Sequence, residues 1–268
     1  MPTTVRSVPG TTRTNGHTDR GPQDISLGSR LAPDVSLRQA ALIAGLALLL
    51  MTFLTPFANF GVLHTLIVPG DAHSTAQNIA ARQGLFRIGI AFFFVTAILD
   101  MVVGWALYIV FRPLNRSLSL LAALLRVTYA TMLAAAVTSL VSALQLVSGA
   151  DLLKGLATDQ LQAEIMVWLS AFQSGWDLAL IIFGLDLFIL GSMLVFQSGW
   201  SPRIMGILVI IAGMGYFVDG VGTLLVPNYS LTVATYTFIG EPVLMVWLLW
   251  KGIKGFTATA SRQAHTLA

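Results

Sequence analysis

The chain has 268 residues, of which 56% are hydrophobic and 10% charged, and its mean hydropathy is +0.79; a typical soluble domain carries roughly 25% charged residues. That balance excludes a soluble globular enzyme and predicts an integral membrane protein, with room for one helical bundle and little beside it. The absence of cysteine excludes disulfides, thiolate metal centres and cysteine nucleophiles, and the net charge of +3 lies mostly in tails and short loops, with no basic stripe for nucleic acid.

Residues 1–37, MPTTVRSVPGTTRTNGHTDRGPQDISLGSRLAPDVSL, are rich in Thr, Ser, Gly, Pro and Arg and contain no apolar run long enough to bury. They read as a disordered tail. A secretory signal needs an apolar stretch of about 7 to 15 residues behind its basic start. None is present, so the tail is expected to be retained. Six nearly uncharged runs come next, at about 40–63, 86–111, 118–148, 165–196, 204–226 and 229–251. Each has roughly the 20 residues needed to cross about 30 Å of hydrocarbon as helix. The sequence therefore predicts an all-α, six-transmembrane-helix bundle over 38–255, with a flexible tail over 256–268. Between the first two spans, VPGDAHSTAQNIAARQG opens on a Pro-Gly turn, and Asp71 or Ser74 is placed to cap a short surface helix.

Lys and Arg are retained on the cytoplasmic side during insertion. Six spans put both termini on one side, together with Arg6, Arg13, Arg20, Arg30, Arg38, Arg112, Arg116, Arg203, Lys251, Lys254 and Arg262, eleven of the fifteen basic residues. The opposite side holds Arg82, Arg87 and Lys154 beside Asp71, Asp151, Asp159 and Glu164. Both termini are accordingly expected in the cytoplasm, and the protein in a bacterial plasma membrane.

Charges inside the spans are the main functional signal. Asp100, Arg126, Asp177, Asp186, Asp219 and Glu241 all fall within apolar runs. Insertion of an Asp or Arg at a helix centre costs roughly 2.5 to 3.5 kcal/mol, so such groups face the bundle interior and have partners. Five acids and one base cannot all form neutral pairs. Counting about 1.5 Å per residue from the entry of each span, Asp177 and Glu241 reach about 18 Å from the outer side, Asp100 about 21 Å and Arg126 about 18 Å. These four are expected to share a layer. Asp219 counts as shallower, about 8 Å deep, and Asp186 as close to the cytoplasmic edge. Asp177 and Asp186, nine residues apart, fall on opposite faces of a straight helix, which assigns Asp177 to a site and Asp186 to an interface or a contact with another helix. Gly184 beside Asp186 reads as a close-packing position.

Neighbours three or four residues away extend these faces: Tyr129 beside Arg126, Gln173 before Asp177, and Tyr216 before Asp219, with Trp176 adjoining Asp177. An acidic pocket walled by aromatic rings suits a cation, or positive charge developing on a substrate. A carboxylic acid that keeps its proton serves as a general acid or proton carrier. Catalytic roles are therefore expected of Asp177, Glu241 and Asp100, and substrate-binding roles of Arg126, Tyr129, Gln173, Trp176, Tyr216 and Asp219. His64, His73 and Asp71 lack a third well-spaced ligand, so no metal and no cofactor is expected.

The segments LIVPGDA (66–72), LFRIGIA (85–91), the run from Asp100 through WALYIVFRPLNRSLSLLAALLRVTYA to Ala130, FGLDLFILG (183–191), SGWSPRIMGILVIIAGMGYFVDG (198–220), LVPNYS (225–230) and FIGEP (238–242) together resemble a bacterial family of multi-pass membrane proteins carrying a domain-of-unknown-function label. The resemblance covers most of 38–255 and implies the helical architecture without an activity. The family pattern usually has His in a GLH triplet where this chain has Asp186, so no histidine role carries over to that helix.

Walker, dinucleotide-binding, HExxH and GxSxG signatures are absent. The buried charges support three readings. One is a membrane-embedded enzyme using general-acid chemistry, such as cyclisation or isomerisation, on a lipid-soluble, isoprenoid-like substrate, or a binder of such a molecule. Another is a proton- or cation-coupled transporter of a small molecule, and the last is a polar network that only holds the fold. The expected partners are membrane lipids and a lipid-soluble or small-molecule ligand, with no nucleic acid.

Overall fold

A computed structural model describes residues 35–149, 157–227 and 229–256. The expected tails over 1–37 and 256–268 lie almost wholly outside the described residues, as do Asp151 and Lys154. Helix α1 runs over Leu37–Leu66, α2 over Ala72–Ala81, α3 over Gln83–Phe111, α4 over Arg116–Ser148, α5 over Thr158–Val195, α6 over Trp200–Leu225, α7 over Val233–Thr237 and α8 over Gly240–Lys254. The described residues are otherwise turns and irregular segments, and six helical segments are long and apolar enough to cross a membrane, α7 and α8 together forming the sixth.

Local chemistry sets the helix starts. Ser36 and Gln39 form a reciprocal capping box ahead of α1. Asn115 Oδ1 accepts from the Leu118 amide at 3.0 Å to open α4 after a short turn. Pro69 and Gly70, the latter at φ +77°, make the turn after which Asp71 caps α2. Helix α2 is amphipathic: Thr75 and Ile79 are buried, the other positions are exposed or half-exposed, and His73 meets Gln77 on its own helix and Gln162 on α5 through its two ring nitrogens.

The spans contact one another in the cyclic order α1, α3, α4, α5, α6, α8 and back to α1. Arg38 Nε donates to the Gly252 carbonyl at 2.8 Å and ties the start of α1 to the end of α8. The helix ends bearing Arg38, Arg112, Arg116, Arg203, Lys251 and Lys254 therefore gather at one end of the ring, the basic end. Between α5 and α6 the closest approach is made by glycine. A Cβ on Gly184 would meet the Gly213 carbonyl oxygen at 2.5 Å, and one on Gly191 the Gly206 oxygen at 2.6 Å. This is the small-residue packing that lets transmembrane helices bring their backbones together.

Two features depart from six uninterrupted α-helices. In α1, Phe57–Leu63 is a π-helical segment directly after Pro56; proline removes a backbone donor, and widening of the turn is one way to absorb the loss. The sixth span is broken at Phe238–Ile239 into α7 and α8. Non-helical backbone at such depth is tolerated where it is buried in protein or lines a cavity.

Candidate functional site

Inside the ring, α4 supplies the centre. Arg126 is 2% exposed, with Asp100 and Asp186 at 1% each. Its Nε donates to Asp186 Oδ2 at 2.7 Å, its Nη2 lies at 2.7 Å from the same oxygen, and its Nη1 donates to Asp100 Oδ1 at 3.0 Å. All three guanidinium nitrogens are thus held by carboxylates from α3 and α5. The guanidinium carbon lies 4.7 Å from the centroid of the Phe183 ring, a cation–π contact from a fourth direction. Gly104 packs against the stem of Arg126, where a Cβ would sit at an ordinary contact distance of 3.4 Å from Arg126 Cβ.

Glu241 joins from the first turn of α8. Tyr216 on α6 donates its hydroxyl to Glu241 Oε1 at 2.5 Å. The carboxyl lies beyond ion-pair distance of Arg126 yet within reach of its charge. Gly240 fixes its height, since a Cβ at that residue would collide with the Leu208 carbonyl of α6. An acid in the first turn of a helix also faces the positive end of the helix dipole. Tyr129, Phe183 and Tyr216 stack in sequence across α4, α5 and α6, with centroids 4.7 and 5.2 Å apart. Above them Phe93, Phe172 and Trp176 form a second aromatic group, at separations of 5.0 to 5.7 Å.

Of the residues expected to share a layer, Asp100, Arg126 and Glu241 come together, with Tyr216 bonded to Glu241 and Tyr129 reached through Phe183, whereas Trp176 belongs to the second aromatic group. Asp177 does not join them, and Asp186 takes its place. Measured from the basic end at about 1.5 Å per residue, Asp186, Arg126 and Asp100 lie about 14 to 17 Å along their helices, and Asp177 lies about 27 Å along. The reason is the length of α5. Its 38 residues extend about 57 Å, well beyond a core of about 30 Å, so a depth counted from its outer end overshoots and puts Asp186 too near the edge. Asp177 remains on the other face of α5, partly exposed, where Gln173 Nε2 donates to its Oδ1 at 2.9 Å.

Asp219 is engaged by its own chain. Its Oδ1 accepts from the Tyr229 hydroxyl at 2.7 Å and the Val233 amide at 3.0 Å, and its Oδ2 accepts from the Ala234 amide at 2.7 Å. These bonds anchor the start of α7 and hold the Tyr229 phenol above its ordinary range. The break that presents Glu241 was not anticipated from the sequence, although Gly240 and Pro242 flanking it are the signal: proline is tolerated in a first helical turn and disfavoured within a helix.

Two buried polar atoms have no hydrogen-bond partner among the described residues, Asp100 Oδ2 and Trp176 Nε1. Also among the described residues, no group of three or more His, Asp or Glu side chains is arranged to hold a metal ion.

Residues 43–252 match the family described as "Domain of unknown function (DUF4386)". Over 161 residues, 60% of this chain and 82% of the relative, the chain is 34% identical to a protein of Archaeoglobus fulgidus described as "Uncharacterized protein". No solved structure matches. The chain belongs to the DUF4386 family.

Proposed function

We propose that this member of the DUF4386 family is a membrane-embedded enzyme that holds a lipid-soluble, isoprenoid-like substrate inside the helical ring and delivers a proton to it from Glu241. The observation that carries the reading is the division of labour among the acids. Arg126 is engaged by Asp100 and Asp186, whereas Glu241 has a tyrosine hydroxyl as its partner. An acid with a hydroxyl partner gains and loses a proton without breaking a buried ion pair. With Tyr216 donating to Oε1, the exchangeable proton sits on Oε2.

In an isomerisation, that proton adds to one carbon of a substrate double bond. The cation formed faces the rings of Phe183 and Tyr216. The Glu241 carboxylate then removes a proton from a neighbouring carbon, so no net proton or electron is consumed. The Asp186–Arg126–Asp100 group fixes the field around this step. Asp100 is retained as part of the machinery. Asp177, on the other face of α5, is left out of it.

A carrier reading has one observation in its favour. The break between α7 and α8 places an acid beside an interrupted membrane helix, and transporters build their binding sites at such interruptions. Glu241→Gln separates the readings. In lipid nanodiscs the enzyme reading expects product formation from C15–C20 polyprenyl substrates to fall at least a hundredfold, in the range of general acid catalysis. Loss of pH-driven solute flux in liposomes, with the solute chemically unchanged, would favour the carrier. A change in thermal stability alone would reduce the cluster to a structural network.

A further inference from the structure

We propose that a trough between α3 and α4, on the lipid-facing side of the ring, binds an anionic phospholipid, with Arg87 on its phosphate and an acyl chain lying between the two helices. This site lies outside the ring and does not depend on the chemistry assigned to Glu241.

The trough has a volume of about 450 Å³, and its walls come from two helices that are neighbours in the ring. Its lining residues recur at helical spacing, with Arg87, Ala91 and Phe94 on α3 and Ala134, Thr138 and Val141 on α4. Of these, all but Ala134 are exposed, so the trough opens outward. Ala91 and Ala134 are too small to fill the space between the helices. The helices are pinned to each other beyond both ends of the trough. Ser148 Oγ donates to Gln83 Oε1 at 3.1 Å past one end, and Arg126 donates to Asp100 past the other.

Depth gives the trough the polarity of a lipid. Counted from the basic end at about 1.5 Å per residue, Arg87 and Val141 lie about 36 to 38 Å along their helices, and Phe94 and Ala134 about 26 to 27 Å. The hydrocarbon core is about 30 Å thick, and about 40 to 45 Å with the headgroups included. With Arg112 and Arg116 at one membrane surface, Arg87 therefore stands among the headgroups of the opposite leaflet. Phe94 and Ala134 lie at the level of acyl chains.

The lining selects the headgroup. Arg87 is its one charged residue among those described, and both ion pairs among the described residues belong to Arg126. Thr138 donates its hydroxyl to the Ala135 carbonyl at 2.6 Å and so has no proton to offer a ligand. A guanidinium presents its donors in a fork that matches phosphate oxygens. Arg82, at the start of α3, adds a second positive charge at the same end. No acid lines the trough, so the ammonium of a zwitterionic lipid meets only like charge there, and a headgroup of net negative charge is favoured.

The test uses the full chain in phosphatidylcholine nanodiscs that carry a trace of phosphatidylglycerol or of phosphatidylcholine with a diazirine on one acyl chain. Peptides containing Ala91, Phe94, Ala134 or Thr138 are expected to be labelled at least about fivefold more by the phosphatidylglycerol probe, the preference one basic residue gives at an anionic headgroup. Arg87→Gln should abolish that preference. Arg112→Gln, at the basic end, should leave it unchanged. Ala91→Phe keeps the charge and fills the trough, so both probes should label those peptides less while labelling elsewhere on the chain holds. All three substitutions are at exposed positions, and thermal unfolding at the wild-type temperature checks that each variant is folded. Equal labelling by the two probes, a preference that survives in folded Arg87→Gln, or labels spread evenly over the lipid-facing helices would each overturn the proposal.

Discussion

Asp177 and Asp186 sit nine residues apart on the same helix, and their surroundings have almost nothing in common. Asp186 is buried against a guanidinium that it shares with Asp100. Asp177 is partly exposed and has an amide, Gln173, as its partner. The residue type is constant, so the contrast isolates the environment. An acid becomes chemically informative when a fixed charge and several helices converge on it, and being embedded in an apolar run does not suffice. Asp219 is an intermediate case, an intraspan acid fully occupied with a hydroxyl and two backbone amides.

The largest effect is expected from Arg126→Met, which leaves two buried carboxylates without their charge partner. Removing one member of a buried pair costs about 3 to 5 kcal/mol. Unfolding monitored by denaturant titration in mild detergent should show a loss of that size, or a failure to fold. Adding Asp100→Asn and Asp186→Asn should recover part of it, since the orphaned charges are then gone.

Asp219→Ala should cost about 1 to 2 kcal/mol, the range for a lost helix cap and its hydrogen bonds. Hydrogen exchange should locate the change at α7 and Tyr229, with the α3 to α5 core unaffected. Protection loss spreading into α3 and α4 would mean that Asp219 is coupled to the cluster.

Asp177→Asn is expected to shift stability by no more than about 0.5 kcal/mol, as for a substitution away from any buried network. It should also leave the proposed activity intact, whereas Glu241→Gln should lower it at least a hundredfold. The smallest effect belongs to Asp71. Hydrogen bonds from the Ser74 hydroxyl and amide hold its carboxyl below the usual range. A folded-state pKa lower than the unfolded one contributes stability that is present above about pH 4 and lost as pH falls through the folded value. Amide protection in α2 should weaken over that window in the native protein and show no such dependence in Asp71→Asn.

The spans themselves were legible because they rest on a coarse quantity, the length of apolar sequence. The run at 86–111 became Gln83–Phe111, and that at 118–148 became Arg116–Ser148. Glycine at 184 announced the α5–α6 contact through the same logic of close packing. Legibility ended where the answer depended on how a helix is registered against its neighbours. Counting residues from the edge of an apolar run assumes that each run is cut to the membrane, and α5 is far longer than that. The placing of Asp177 in the shared layer therefore did not hold, whereas Asp186 makes the contact with another helix that was expected of it, and the two do face different ways. The π-helical turn after Pro56 and the break before Gly240 are responses of backbone hydrogen bonding to proline and to tertiary packing. Only Pro56, Gly240 and Pro242 hint at them in the sequence.

The buried cluster is tested most directly by a double-mutant cycle between Arg126→Met and Asp186→Leu, read as unfolding free energy in the same detergent, with Arg126→Met and Asp177→Leu as the control pair. For groups in contact, coupling falls in the range of about 0.5 to 3 kcal/mol, and distant pairs add within about 0.5 kcal/mol. Arg126 and Asp186 should couple near the top of that range, and Arg126 and Asp177 should be additive. Additivity for the first pair, or coupling for the second, would contradict a core built on Asp186 and Arg126.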